Sequence, residues 1–185
     1  MMNNLNQRPH SRTTNLTLTA VVAALYAAIT MMVAPIGFGP VQLRLSEGLN
    51  HLAAWNKRYI LALSLGVLIA NLFSPMGWID WVFGTLDTVI MTSLTYVLTR
   101  KVASALMKII ISTISVLTVG MAVLAAEFTF AFAIKATGSF APDHAGTIWE
   151  NWLSYYIMLV PGELASLVVG GVVIYALSKF VNLAK

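Results

Sequence analysis

Apolar runs separated by short polar breaks set the elements of this chain. Leu16 to Ala34 is uncharged and close to one crossing in length, because about 20 apolar helical residues span a bilayer. Pro35, Gly37, Gly39 and Pro40 then interrupt the helix. Leu43 to Trp55 is short and amphipathic and runs into Asn56, Lys57 and Arg58. Tyr59 to Phe73 is apolar again and is stopped by Ser74, Pro75, Met76 and Gly77. Trp78 to Thr99 ends at Arg100 and Lys101, and Ile109 to Ile134 is long with one acid, Glu127. A polar loop, Lys135 to Thr147, precedes the last run, Trp149 to Leu177, which Lys179 and Lys185 close. The pattern predicts an all-α membrane protein, a bundle of six transmembrane helices with the second and third shorter than the rest. It forms one membrane domain over residues 1–185, with a polar cytoplasmic segment at 1–15 and the bundle at 16–182. A signal peptide also begins with positive charge, but its apolar region is shorter and is not followed by further spans.

Charge orients the bundle. With six spans and a cytoplasmic start, the inner segments hold Arg8, Arg12, Lys57, Arg58, Arg100, Lys101, Lys108, Lys179 and Lys185. The outer segments hold Arg44 and Lys135. This is the positive-inside pattern and places both termini in the cytoplasm. Removing one span would scatter these charges to both sides. Trp78, Trp81, Trp149 and Trp152 fall near the outer ends, where indoles favour the interface.

Composition agrees. The 185 residues are 58% hydrophobic and 10% charged, with a mean hydropathy of +0.81. A soluble domain carries about 25% charged residues, so the chain belongs in a membrane. The net charge of +4 follows the membrane rule and does not imply nucleic acid. Cysteine is absent, which excludes disulfides and thiolate chemistry.

Acids inside spans are costly, by about 2.5–3.5 kcal/mol at a helix centre, so Glu47, Asp80, Asp87, Glu127 and Glu163 carry information. Asp80 and Asp87 share a helical face about 10 Å apart along the axis, with Gly84 between them leaving space for a ligand or another backbone. Glu163 follows Pro161 and Gly162, where proline removes a backbone bond and can open the helix. Competing readings stand beside these: Asp80 as an interfacial helix cap, Glu47 as a partner of Arg44 three residues earlier, His51 as a packing histidine. Three histidines without paired spacing make no metal site.

Trp78, Trp81, Phe83, Phe128, Phe130, Trp149, Trp152, Tyr155 and Tyr156 gather around the outer acids. Aromatic faces with carboxylates suit a flat nitrogen heterocycle, because rings stack and acids accept N–H bonds; an interfacial aromatic belt accounts for several of them equally. On the first helix Ala20, Ala24 and Ala28 recur at four-residue spacing, with Ala23 and Ala27 alongside. Such spacing admits close approach of another helix, either inside the bundle or from a partner. No Walker A, H-E-x-x-H or G-x-S-x-G sequence occurs, so ATP hydrolysis, metalloprotease and serine-hydrolase readings lack their signatures.

A six-helix chain of this size with an alanine-rich first helix resembles the substrate-binding (S) components of energy-coupling factor (ECF) transporters. Val41 to Gly48 and Ile69 to Asp80, extended by Trp81 to Thr85, resemble segments of the queuosine-precursor transporter (QueT) family. The resemblance implies a non-enzymatic subunit that captures a 7-deazaguanine such as queuine, preQ0 or preQ1 at the outer face. It would work with a membrane coupling subunit and two cytoplasmic ATPases. Ala20, Ala23, Ala24, Ala27 and Ala28 would dock on the coupling subunit, and the loop Pro35 to Leu43 would act as a lid. Chemistry laid over the matching segments makes Arg44, Glu47, Trp78, Asp80, Trp81, Asp87, Glu127, Trp152 and Glu163 the candidate substrate contacts. No catalytic residue, cofactor or metal is expected. An S component for another vitamin, a membrane-embedded enzyme using the carboxylates, and a structural bundle are the competing functions.

Overall fold

The computed structural model describes residues 12–37, 43–134 and 146–184. Among them every regular element is a helix. Four helices are long and apolar enough to cross a membrane: the first, Arg12–Met32, the fourth, Asp80–Thr99, the fifth, Ala105–Ala133, and the sixth, Ile148–Phe180. Between the first and fourth lie two shorter ones, the second, Leu45–Ala54, and the third, Arg58–Asn71. These make up the six expected helices, and a single turn, Ala34–Gly37, follows the first.

The second helix is wound as a 3-10 helix. At three residues per turn, positions three apart stack on one ridge. Gly48 and His51 form the ridge that meets the sixth helix: a Cβ at Gly48 would stand 2.6 Å from the Gly170 Cα, and His51 Nε2 donates to the Leu167 carbonyl at 3.0 Å. Glu47 and Asn50 form the next ridge and are hydrogen-bonded to each other. Ten residues at about 2 Å rise span only about 20 Å, and the third helix is no longer. Both fall short of the roughly 30 Å hydrocarbon thickness. Their far ends, at Arg44 and Asn71, therefore stop inside the bundle.

Polar caps gather the other ends of these helices. Thr99 Oγ1 and Lys108 Nζ both donate to the Ala54 carbonyl, at 3.1 and 2.8 Å. Asn56 donates to the Ala184 carbonyl, and Arg58 to that of Leu183. Lys57, Arg58, Arg100, Lys101, Lys108 and Lys179 thus lie toward one end of the bundle. Arg8, Lys135 and Lys185, and most of the N-terminal segment and lid, lie outside the described residues. Arg44, counted above as an outer charge, is buried (6% exposed).

Two spans carry π-helical turns, Asp80–Gly84 opening the fourth helix and Val116–Gly120 within the fifth. Below the first, Thr88 and Thr99 hydroxyls donate to the carbonyls four residues back, as does Thr92. This self-satisfaction lets Thr88 and Thr92 be buried, and Thr99 also reaches the Ala54 carbonyl of the second helix. The sixth helix runs unbroken through Pro161, contrary to the local opening expected there. Pro161 faces outward while Gly162 and Glu163 face inward, so the proline ring meets no neighbouring helix.

Gly66 on the third helix divides the alanine set. A Cβ there would stand 2.7 Å from the Tyr26 Cβ and 3.0 Å from the Ala23 carbonyl. Glycine thus allows the first and third helices to touch. Ala23 and Ala27 are buried inside the bundle, whereas Ala20, Ala24 and Ala28 are exposed. The expectation that all five face a partner is corrected for Ala23 and Ala27, because the third helix already covers them.

Candidate functional site

Five of the seven acids of the chain are buried within the bundle. Glu47, Asp80, Asp87, Glu127 and Glu163 are at most 8% exposed, and Arg44 lies among them. Four separate helices and the segment preceding the second supply these six residues, and tertiary packing brings them together.

Two of the acids are fully engaged. Asp80 Oδ2 accepts from Arg44 Nη2 at 3.5 Å, and Asp80 Oδ1 accepts from Asn71 Nδ2 at 3.2 Å. The same amide donates to the Asp80 carbonyl. Gly84 makes this approach possible: a Cβ there would stand 2.6 Å from Asn71 Nδ2. Asn71 fills part of the space beside Gly84, which also lines the inner cavity described below. Glu47 accepts from the Tyr26 hydroxyl at 2.5 Å and from the Asn50 amide, and Thr30 and Ser46 hydroxyls meet alongside at 2.6 Å. Asp80 is therefore no interfacial cap, and the ion pair of Arg44 is with Asp80 and not with Glu47.

The remaining three acids are not satisfied. Asp87 Oδ1, Glu163 Oε1 and both carboxylate oxygens of Glu127 are buried without a hydrogen-bond partner. A buried polar atom left unpaired costs about 1–3 kcal/mol, more when charged. Three such groups in one region make this cluster the candidate site, since each buried polar atom left unpaired needs an explanation.

Two cavities reach these oxygens. The inner one, lined by Arg44, Glu47, Asp87, Thr88 and Glu163 with apolar walls from Val67, Met91 and Leu159, offers about 20 Å³. That is room for about one water-sized group. The second is a lateral groove of about 740 Å³ between the fourth, fifth and sixth helices, lined by Phe83, Ala122, Glu127, Phe130, Trp149 and Trp152. Phe83 and Phe130 pack at 5.5 Å between centroids, and Trp152 stacks on Tyr156 at 5.4 Å. The Trp152 indole N–H donates to the Ala122 carbonyl at 3.0 Å, which fixes the ring against the groove wall.

Among the expected contacts, Arg44, Glu47, Asp80, Asp87, Glu127 and Glu163 come together, and Trp152 stands beside Glu127 along the groove. Trp78 and Trp81 do not join them: they are 54% and 37% exposed and line neither cavity. Their side of the fourth helix faces the surroundings, as an interfacial belt requires. Tyr26, Asn50 and Asn71 belong to the cluster and were missed by sequence reasoning. Each carried a faint signal: Asn71 is an amide closing an apolar run, Asn50 follows Glu47 by three, and Tyr26 interrupts the alanines.

Four helices long and apolar enough to cross a membrane, packed around a buried and partly unsatisfied polar chamber, define a multi-pass membrane protein seated in the cell membrane. The sequence profile of the QueT transporter family matches residues 16–179, and the chain belongs to that family. A protein of Lactococcus lactis subsp. cremoris (strain MG1363), the queuosine precursor transporter QueT, is 42% identical over 86 residues, 45% of this chain and 50% of that protein. The chain spans about half the length of this curated relative. No solved structure matches it.

Proposed function

We propose that this chain is the substrate-binding subunit of an ATP-driven importer of the energy-coupling factor type, and that its cargo is a 7-deazaguanine queuosine precursor. The similarity to the queuosine precursor transporter of Lactococcus lactis supports the cargo. The observation that carries the reading is Glu127. Both of its oxygens are buried outside hydrogen-bond geometry, with Asp80 close by, and it stands in the aromatic groove. Two free carboxylate oxygens match the paired N–H donors on the edge of a guanine-like ring, as they match a bidentate guanidinium. The neighbouring Phe83, Phe130 and Trp152 supply faces for that ring.

Both termini lie in the cytoplasm in this reading, which rests on the positive-inside bias. No Walker A sequence is present, so ATP hydrolysis falls to partner subunits: two cytoplasmic ATPases and a membrane coupling subunit. The exposed alanines of the first helix, Ala20, Ala24 and Ala28, offer the coupling subunit a smooth face. The subunit binds and releases its cargo without covalent chemistry, so it is no enzyme.

Titration of the purified protein with 7-deazaguanines and with unrelated vitamins tests this. Saturable binding of a deazaguanine, weakened at least about tenfold by Glu127→Gln and unchanged by Lys179→Gln, is expected. Binding of another vitamin in place of the deazaguanine overturns the cargo.

A further inference from the structure

The inner cavity is too small for a bicyclic ring and is walled by acids whose own bonds are incomplete. At about 20 Å³ it holds one non-hydrogen group with its protons. Asp87 Oδ1 and Glu163 Oε1 are buried there without partners. Arg44 is the one cation in the lining. It is engaged by Asp80 and by the Gly37 carbonyl, the latter at 3.2 Å from Nε. Glu47 keeps its bonds to Tyr26 and Asn50. What the cavity lacks is therefore a compact cation with several hydrogen-bond donors.

An alkylammonium group has that size, that charge and those donors. Resting on the deazaguanine reading above, we propose that this cavity is an ammonium subsite: Asp87 and Glu163 hold the protonated amine arm of the cargo while its ring stays on the Glu127 side. The site then selects a 7-deazaguanine carrying an aminomethyl arm over one carrying a neutral nitrile. A nitrile offers acceptors only and would leave both carboxylates unpaired, so it forfeits the charged contacts while its ring contacts remain.

Binding of the 7-aminomethyl and 7-cyano compounds is measured by titration calorimetry on the purified full chain, for wild type, Asp87→Asn, Glu163→Gln and Glu127→Gln. The amine is expected to bind wild type at least about tenfold more tightly than the nitrile. Asp87→Asn and Glu163→Gln should each reduce that ratio severalfold while leaving nitrile affinity within about twofold. Glu127→Gln should weaken both compounds together and keep the ratio. Equal wild-type affinities, or a ratio that survives both Asp87→Asn and Glu163→Gln, overturn the subsite and leave these acids as neutral packing groups. Binding of neither compound by wild type overturns the cargo reading itself, and the subsite with it. Thermal melting of each variant identifies a misfolded one; if one acid variant fails to fold, the ratio in the other decides.

Discussion

Arg44 and Asp80, 36 positions apart in sequence, meet in the interior at 3.5 Å between Nη2 and Oδ2. The guanidinium reaches Asp80 from the segment just ahead of the second helix, and the acid opens the fourth. The pair therefore ties the far end of a short helix to the π-helical turn that aims Asp80 inward. Asn71 occupies the other Asp80 oxygen from the end of the third helix. Three elements thus converge on one carboxylate, and the inner cavity, lined by Arg44 and Gly84, lies next to it.

Breaking a buried ion pair by removing one partner costs about 3–5 kcal/mol, because the other charge is left uncompensated. Asp80→Asn and Arg44→Met should each destabilise the purified protein by this order. Combining them should cost less than the sum of the two. A double-mutant cycle on unfolding in detergent measures the coupling, and strict additivity would refute the contact.

The crossing of the second and sixth helices depends on two glycines. A Cβ at Gly48 meets the Gly170 Cα at 2.6 Å and the Ser166 carbonyl at 2.8 Å. Backbone cannot give way as a flexible side chain does. Gly48→Ala and Gly170→Ala should each destabilise by about 1–3 kcal/mol or more through overpacking. Melting temperatures equal to wild type would mean that the two backbones do not touch.

The alanines of the first helix should separate into two classes. Ala23→Leu and Ala27→Leu place bulk against the third helix and should lower the melting temperature. Ala24→Leu and Ala28→Leu point outward and should leave folding and ligand binding near wild type while abolishing uptake in cells. Transport that persists with an inserted, folded Ala24→Leu or Ala28→Leu subunit removes the docking face.

Both termini are expected on the cytoplasmic side. Accessibility of tags fused at each end, compared in intact and opened cells, checks it directly. An externally accessible tag at either end reverses the orientation or breaks the even number of spans.

Hydropathy is a local property summed over a window. The membrane class, the six helices, the two short members among them and the five intramembrane acids were therefore legible from residue order alone. The fourth helix is already helical at the expected Trp78 and turns π-helical at Asp80. Which acid meets which partner was not legible, because it depends on how each helix is rotated and how closely backbones approach. Gly84 admits Asn71 to one oxygen of Asp80 while Arg44 takes the other, and Glu47 is bonded by Tyr26 and Asn50. Gly66 draws in one face of the first helix, so only three of its five small residues remain outside. The sequence by itself determined that this chain spans a membrane and carries charges within it, since burial in lipid selects composition residue by residue. Only the tertiary structure decided that Asp87, Glu127 and Glu163 are the acids left wanting a partner, since satisfaction of a buried group is a matter of distances between distant parts of the chain.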